Sequence, residues 1–159
     1  MKKILFIRHA ESAPVISSAL DHGRGLTTKG EEDAEYMGER LILNKILPDL
    51  YITSSAVRAS ATCEIIKNKL NNNSHTIVAS SIYHDGLKGI LANINSVSDD
   101  IELVAMVGHN PILREIYNSI KGVSCNSFPP CAIFLCVFNV EKWIDFSIES
   151  SQVLYHDFP

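Results

Sequence analysis

The sequence predicts an α/β fold, a three-layer α/β/α sandwich around a mainly parallel central sheet. Short apolar runs alternate with segments of helical periodicity through most of the chain, the pattern of βα units. Residues 102–107 are apolar enough for a central strand covered on both faces. Three runs are each followed within a few residues by arginine or histidine, and the strand ends of open α/β sheets are where such sheets place their sites.

The first strand is the run Ile4-Leu5-Phe6-Ile7, with Arg8 and His9 emerging at its end. Rigid backbone holds both there, and an imidazole beside a guanidinium can attack, or be paired with, a phosphate that the guanidinium grips. A long polar loop follows over residues 11–25, with Pro14, Asp21-His22-Gly23 and Gly25, expected over the mouth of that strand end. Thr28-Lys29-Gly30-Glu31 has the form of a capping box, and Ala34, Met37 and Leu41 follow at helical spacing, so a first helix is expected to about residue 46, ahead of Pro48. Leu50 to Thr53 reads as the second strand. Ser54 or Ser55 is the expected N-cap of a second helix carrying Ala59, Cys63, Ile66 and Leu70, which puts Arg58 in its first turn. An arginine there opposes the helix dipole, a local conflict of the kind functional sites show.

Residues 71–74 end that helix, residues 76–79 form a third strand, and Leu87, Ile90, Leu91 and Ile94 mark a further helix. The central strand at 102–107 runs into Gly108-His109-Asn110-Pro111, with Asn110 as cap and Pro111 at the first helical position, so that His109 sits between a strand end and a helix start. Residues 132–140 and 143–149 read as two final strands. In the second, Ile144, Phe146 and Ile148 alternate with polar residues as in a half-buried edge strand that is not sticky, and a monomer is expected.

At 159 residues one domain, 1–159, is expected, with a continuous core. The 46% apolar and 20% charged residues are an ordinary globular balance, and the net charge of −4 with scattered basic residues argues against nucleic acid as partner. The apolar run at the start stops after four residues, too short for a signal peptide, and nothing approaches a membrane span, so the cytoplasm is the expected compartment. Cys63, Cys125, Cys131 and Cys136 lack close zinc-site pairing and read as small hydrophobes. His22, His75, His84 and His156 read as structural or solvated.

Four blocks, Arg8-His9-Ala10-Glu11, residues 26–30 (LTTKG), residues 54–62 (SSAVRASAT) and Val107-Gly108-His109-Asn110-Pro111, stand in an order that resembles the histidine phosphatases of the phosphoglycerate mutase-like superfamily. The short chain and its Arg-His-Ala variant resemble, more narrowly, the small SixA-type phosphohistidine phosphatases. The resemblance spans roughly two thirds of the chain. It implies that His9 is the nucleophile taking the phosphoryl group, that Arg8 and Arg58 bind its oxygens, and that His109 completes the pocket and stabilises or handles a proton. Neighbouring guanidiniums disfavour an imidazolium, which suits a nucleophilic His9. Neither a metal nor a cofactor is implied.

Larger members of the superfamily carry a carboxylic acid that protonates an alkoxide leaving group. The corresponding stretch here contains Asp85, which is an acid or, as read here, the cap of the following helix; Glu11, Asp21 and His84 are alternative acids. Ser54 is a cap first and a secondary phosphate contact second, and Thr27 and Thr28 are helix-start residues. A labile P–N bond needs little acid assistance, so the expected substrate is phosphohistidine on a protein. Small phosphate esters, a mutase activity, or binding of phosphorylated partners without turnover are the alternatives.

Overall fold

A computed structural model describes residues 1–15 and 17–159; Ile16, in the predicted loop of residues 11–25, lies outside the described residues. The strands β1 (Lys2–Arg8), β2 (Leu50–Ser54), β3 (His75–Ala79), β4 (Leu103–Gly108), β5 (Ile133–Phe138) and β6 (Gln152–Asp157) form a sheet ordered β3-β2-β4-β1-β5-β6. The first four are parallel, and β5 is antiparallel to both its neighbours. Helices α1 (Thr28–Leu43), α2 (Val57–Lys69), α3 (Ser80–His84), α4 (Gly86–Asn95) and α5 (Ile112–Ser119) flank it.

The two-residue alternation of a strand explains the layers. Leu5 and Ile7 point to one face, where they cluster with Ala34, Met37 and Leu41 of α1 and Ala59, Cys63 and Ile66 of α2. Ile4 and Phe6 point to the other, with Ile90 and Ile94 of α4 and Leu113 and Ile116 of α5. Each fully buried large aliphatic or aromatic side chain contributes roughly 1.5–3 kcal/mol over leaving it exposed, so these two layers fix the sheet. Cys63, Cys131 and Cys136 are buried and all four cysteines are free, as packing residues would be.

Register sets up the site. Arg8 pairs with Gly108 and Thr53 with Val107, so the ends of β1, β4 and β2 lie side by side and deliver His9, His109 and Ser54 to one edge.

Several local expectations change. The first helix ends at Leu43 rather than near 46, because Lys45 adopts a left-handed φ of 55° while its N–H donates to the Ile42 carbonyl and the Ile46 N–H to the Leu41 carbonyl. That is a Schellman closure, with Ile46 folded back onto the Leu41 cluster. Its N-cap is Thr27, one residue earlier than read, with Oγ1 accepting from Gly30 N–H at 3.0 Å. The N-cap position of α2 is Ala56, which has no side-chain cap; Ser54 and Ser55 bond elsewhere. Asn110 does not cap α5 either, since Pro111 holds the cap position and the Asn110 amide donates to the Phe128 carbonyl. The short helix α3 and the edge strand β6 have no counterpart among the expected elements.

The largest correction concerns residues 143–149, which form the 3-10 segments Trp143–Asp145 and Ile148–Ser150 rather than a strand. Trp143 is fully buried, its backbone N–H donates to Asp99 Oδ1 and its indole N–H to the Ile101 carbonyl. Anchoring that ring against the core takes the segment off the ladder and leaves Ile144 exposed. The edge strands are β3 and β6, so the edge argument for a monomer falls with the misplaced strand.

Candidate active site

His9 sits one residue past β1, nine-tenths buried, with Nδ1 2.8 Å from the carbonyl of Ala10. A carbonyl only accepts, so Nδ1 carries the proton and Nε2 keeps its lone pair. Arg58 Nε donates to that lone pair at 3.2 Å. Burial first, then the neighbouring His109 ring and the Arg58 and Arg8 guanidiniums, push the His9 pKa down to about 3, against the bond to Ala10 that favours the charged ring. The imidazole is therefore neutral at pH 7.

Arg58 lies in the first turn of α2, 5% exposed, and is held on several sides. Its Nη1 donates to the Asp21 carbonyl at 2.7 Å and its Nη2 lies 3.1 Å from Asp21 Oδ2. Thr62, one turn on, bonds the Arg58 carbonyl and accepts from Ala10 N–H, which couples the start of α2 to the end of β1. Arg8 is fixed by Nη1 donating to the Phe128 carbonyl at 2.6 Å, while its buried Nε has no partner among the described residues.

His109 follows β4 with its ring centroid 5.2 Å from that of His9. Its Nε2 is 2.7 Å from Ser54 Oγ, and its buried Nδ1 has no partner among the described residues. Burial first and the Arg58 charge second push its pKa down to about 4. Ser54, the last residue of β2, is fully buried, so it contacts His109 rather than the open cavity.

Arg8, His9, Arg58 and His109 thus line one cavity of about 430 Å³, with Glu11, Ser12, Asp21, Arg24, Asn110 and Pro130. Asp85 is not among them. It is exposed at the junction of α3 and α4, at the N-cap position of α4 but without a side-chain cap bond. His84 is also exposed and packs edge-on against Tyr83. His156 is structural, stacked on Phe128 with rings 11° apart.

Three contributors, Tyr83, Arg24 and Phe128, escaped the sequence reading, and Asp21, named there as an alternative acid, has a different role. The 3-10 segment Ser18–Gly23 brings Asp21 over the site, where its carboxylate accepts from Tyr83 Oη at 2.7 Å and from Arg24 Nη2 at 2.7 Å. The Tyr83 bond first, then Arg24 and Arg58, outweigh burial and hold Asp21 well below the usual carboxylate range, so it stays ionised and is no proton donor. Arg24 also reaches Ser12 Oγ and the Ala13 carbonyl, pinning the loop. Phe128 contributes only its carbonyl, shared by Arg8 and Asn110, and a backbone acceptor has no signature in sequence.

The residues on hand suit a tetrahedral oxyanion: two guanidiniums and a neutral histidine around a second histidine with a lone pair. Backbone geometry matches proteins of that kind. The chain superimposes on a candidate phosphohistidine phosphatase SixA of Nakamurella multipartitia with TM-score 0.84 and 19% identity, covering 99% of this chain and 96% of that one. The protein histidine phosphatase SixA solved with tungstate gives TM-score 0.79 at 19% identity, over 98% and 96% of the two chains. The fold is that of the SixA histidine phosphatases.

A candidate phosphohistidine phosphatase SixA of Agrobacterium tumefaciens aligns as well, with TM-score 0.84 at 20% identity over 99% of each chain. By sequence, the mitochondrial serine/threonine-protein phosphatase Pgam5 of Drosophila persimilis is 39% identical over 70 residues, which is 44% of this chain and 24% of the Drosophila protein. The chain thus spans about a quarter of the length of that relative. An uncharacterized chloroplastic protein of Arabidopsis thaliana is 28% identical over 134 residues, 77% of this chain and 61% of that one. No family model matches the chain. No described helix is long and apolar enough to cross a membrane.

Proposed function

We propose that the chain is a phosphatase that passes a phosphoryl group through His9, acting on phosphohistidine of a protein. The observation that carries this reading is the state of His9: a neutral ring with Nδ1–H committed to the Ala10 carbonyl and the Nε2 lone pair turned toward Arg58. A nucleophile needs that lone pair, and a phosphoryl group in its path needs the cations that surround it.

In the proposed reaction the phosphoryl oxygens sit against Arg8, Arg58 and His109. The His9 Nε2 lone pair forms a P–N bond as the bond to the leaving group breaks, and the bonding pair departs on the leaving imidazole nitrogen. Water then attacks phospho-His9: its oxygen becomes the fourth oxygen of phosphate and the P–N pair returns to Nε2 as a lone pair, while one of its protons stays on phosphate and the other, released to solvent, balances the proton the leaving imidazole nitrogen takes up. Arg58 Nε, which now donates to Nε2, must turn to the phosphoryl oxygen for this to begin. Metal-independent turnover follows from this residue set, because two guanidiniums neutralise the charge a metal would otherwise balance.

Substrate class turns on the acid. Asp85 is exposed and does not line the cavity, and Asp21 is held ionised, so neither protonates a leaving alkoxide. Imidazole is a better leaving group than an alkoxide and needs less help, which favours phosphohistidine. One observation supports small phosphate esters instead: Glu11 lines the cavity, with Oε1 accepting from Thr27 Oγ1 at 2.8 Å. The experiment that separates these readings is phosphate release, in EDTA, from a histidine-phosphorylated protein and from p-nitrophenyl phosphate. Faster release from the phosphoprotein is expected, lost in His9→Ala. Faster ester hydrolysis would move the assignment to esters, loss of activity in EDTA would bring in a metal, and no release from either would leave a binding module.

A further inference from the structure

We propose that Ser54 is a positioning residue that sets the tautomer of His109: its hydroxyl donates to Nε2 and so leaves the single ring proton on Nδ1. The argument is a count of donors and acceptors. Ser54 Oγ is fully buried and has two polar neighbours among the described residues, Ala56 N–H at 3.3 Å and His109 Nε2 at 2.7 Å. The Ala56 N–H can only donate, so it takes a lone pair of the oxygen. The hydroxyl hydrogen then has one acceptor in reach, the Nε2 lone pair. In the opposite polarity, Nε2–H would donate to Ser54 and the hydroxyl hydrogen would be stranded away from water, which costs the desolvation of that donor.

The ring has one proton to place, because it is neutral at pH 7, pushed down to about 4 by burial and by Arg58. With Nε2 accepting, that proton is on Nδ1, the buried nitrogen that has no partner among the described residues. His9 reaches the same tautomer by a different device, the Ala10 carbonyl. A backbone carbonyl enforces it whatever the side chains, whereas at His109 the choice hangs on one hydroxyl.

Its consequence for catalysis rests on the phosphatase reading. His109 lines the cavity, and Nδ1, closed to solvent in the unliganded site, is its one nitrogen without a protein partner among the described residues; an oxyanion there calls for a donor, which a neutral His109 supplies only as Nδ1–H. In the other tautomer the free nitrogen would present a lone pair to the anion. Ser54 therefore acts through His109 without touching the substrate, in place of the cap or secondary phosphate contact expected of it from sequence.

The test is imidazole 15N spectroscopy at pH 7 on the full chain, with the His109 signals assigned by their loss in His109→Gln. In the wild type, His109 Nδ1 is expected in the protonated, pyrrole-like range and Nε2 in the pyridine-like range. Ser54→Ala should move both toward a tautomer average, and Ser54→Thr, which keeps the hydroxyl, should restore the wild-type pattern. A protonated Nε2 in the wild type, averaged nitrogens, or a pattern unmoved by Ser54→Ala would overturn the proposal, and the first two outcomes need no variant at Ser54 to fold. In kinetics, Ser54→Ala should lower kcat by about 10–100-fold, the range for removing a group that orients a working histidine, with recovery in Ser54→Thr. A wild type without turnover would defeat the phosphatase reading and leave the 15N result standing.

Discussion

A histidine that is neutral in the folded chain must take up a proton when the chain unfolds in mild acid, and His9 and His109 both do. Their ordinary value is about 6.5, and in the fold they fall to about 3 and about 4. Between about pH 6.5 and 4 the unfolded chain binds more protons than the folded one, so stability falls as pH falls through that window. His9 alone sets a slope approaching about 1.4 kcal/mol per pH unit at the acid side of the window. His156, lowered by burial, acts in the same direction. Asp21 works at lower pH: its depressed carboxylate stabilises the fold above its ordinary value and that contribution is lost only as acid protonates it. Urea midpoints at pH 7 and pH 5 should show the decline, with a shallower decline in His9→Ala; a flat profile would contradict the buried neutral ring. Arg58 carries a second prediction at this scale. Removing its guanidinium in Arg58→Ala should lower kcat/KM by about 10²–10³-fold, the loss typical of one donor to a developing oxyanion. Unchanged kinetics on whichever phosphorylated substrate the chain turns over would remove Arg58 from the site.

Among the elements, the start of α1 is the part that holds the loop after His9. A Cβ on Gly30 would lie 2.1 Å from the Glu11 carbonyl oxygen, a backbone atom that cannot step aside, and Thr27 ties the same residue through its N–H and hydroxyl. Gly30→Ala should therefore cost about 1–3 kcal/mol, read as a lower urea midpoint, and should depress activity by shifting Glu11. A neutral substitution would show that the helix can back away. The same element marks the limit of what the sequence discloses. Arg8, His9, Arg58 and His109 are legible because residue type and strand-end position coincide, and the unbroken apolar run Ile4 to Ile7 fits a strand covered on both faces. Cap positions slip by one residue because Thr27 rather than Thr28 bonds the Gly30 N–H, and because Asn110 turns its amide to the Phe128 carbonyl. Residues 143–149 mislead because a buried Trp143 outweighs an alternating pattern. Arg24, Tyr83 and the pairing of Asp21 with the arginines stay hidden, since only the folded loop brings them to Arg58.

Taken whole, the molecule concentrates positive charge where its average charge is negative. A net −4 chain gathers Arg8, Arg24 and Arg58 around one cavity, so anion affinity is local to that site. Tungstate, a tetrahedral oxyanion, should raise Tm in a concentration-dependent way, by an amount equivalent to about 2.7 kcal/mol at a hundredfold excess over its Kd, and Arg58→Ala should lose most of that stabilisation. An equal rise in the variant would place the anion elsewhere. The central claim, that the phosphoryl group passes through His9, has a more direct test. The protein is mixed with a 32P-labelled phosphohistidine protein, quenched in alkali to preserve P–N bonds, and mapped by peptide. Label on the peptide carrying His9, absent in a folded His9→Ala, is the predicted result; turnover without label on His9, or label on another residue, would contradict it.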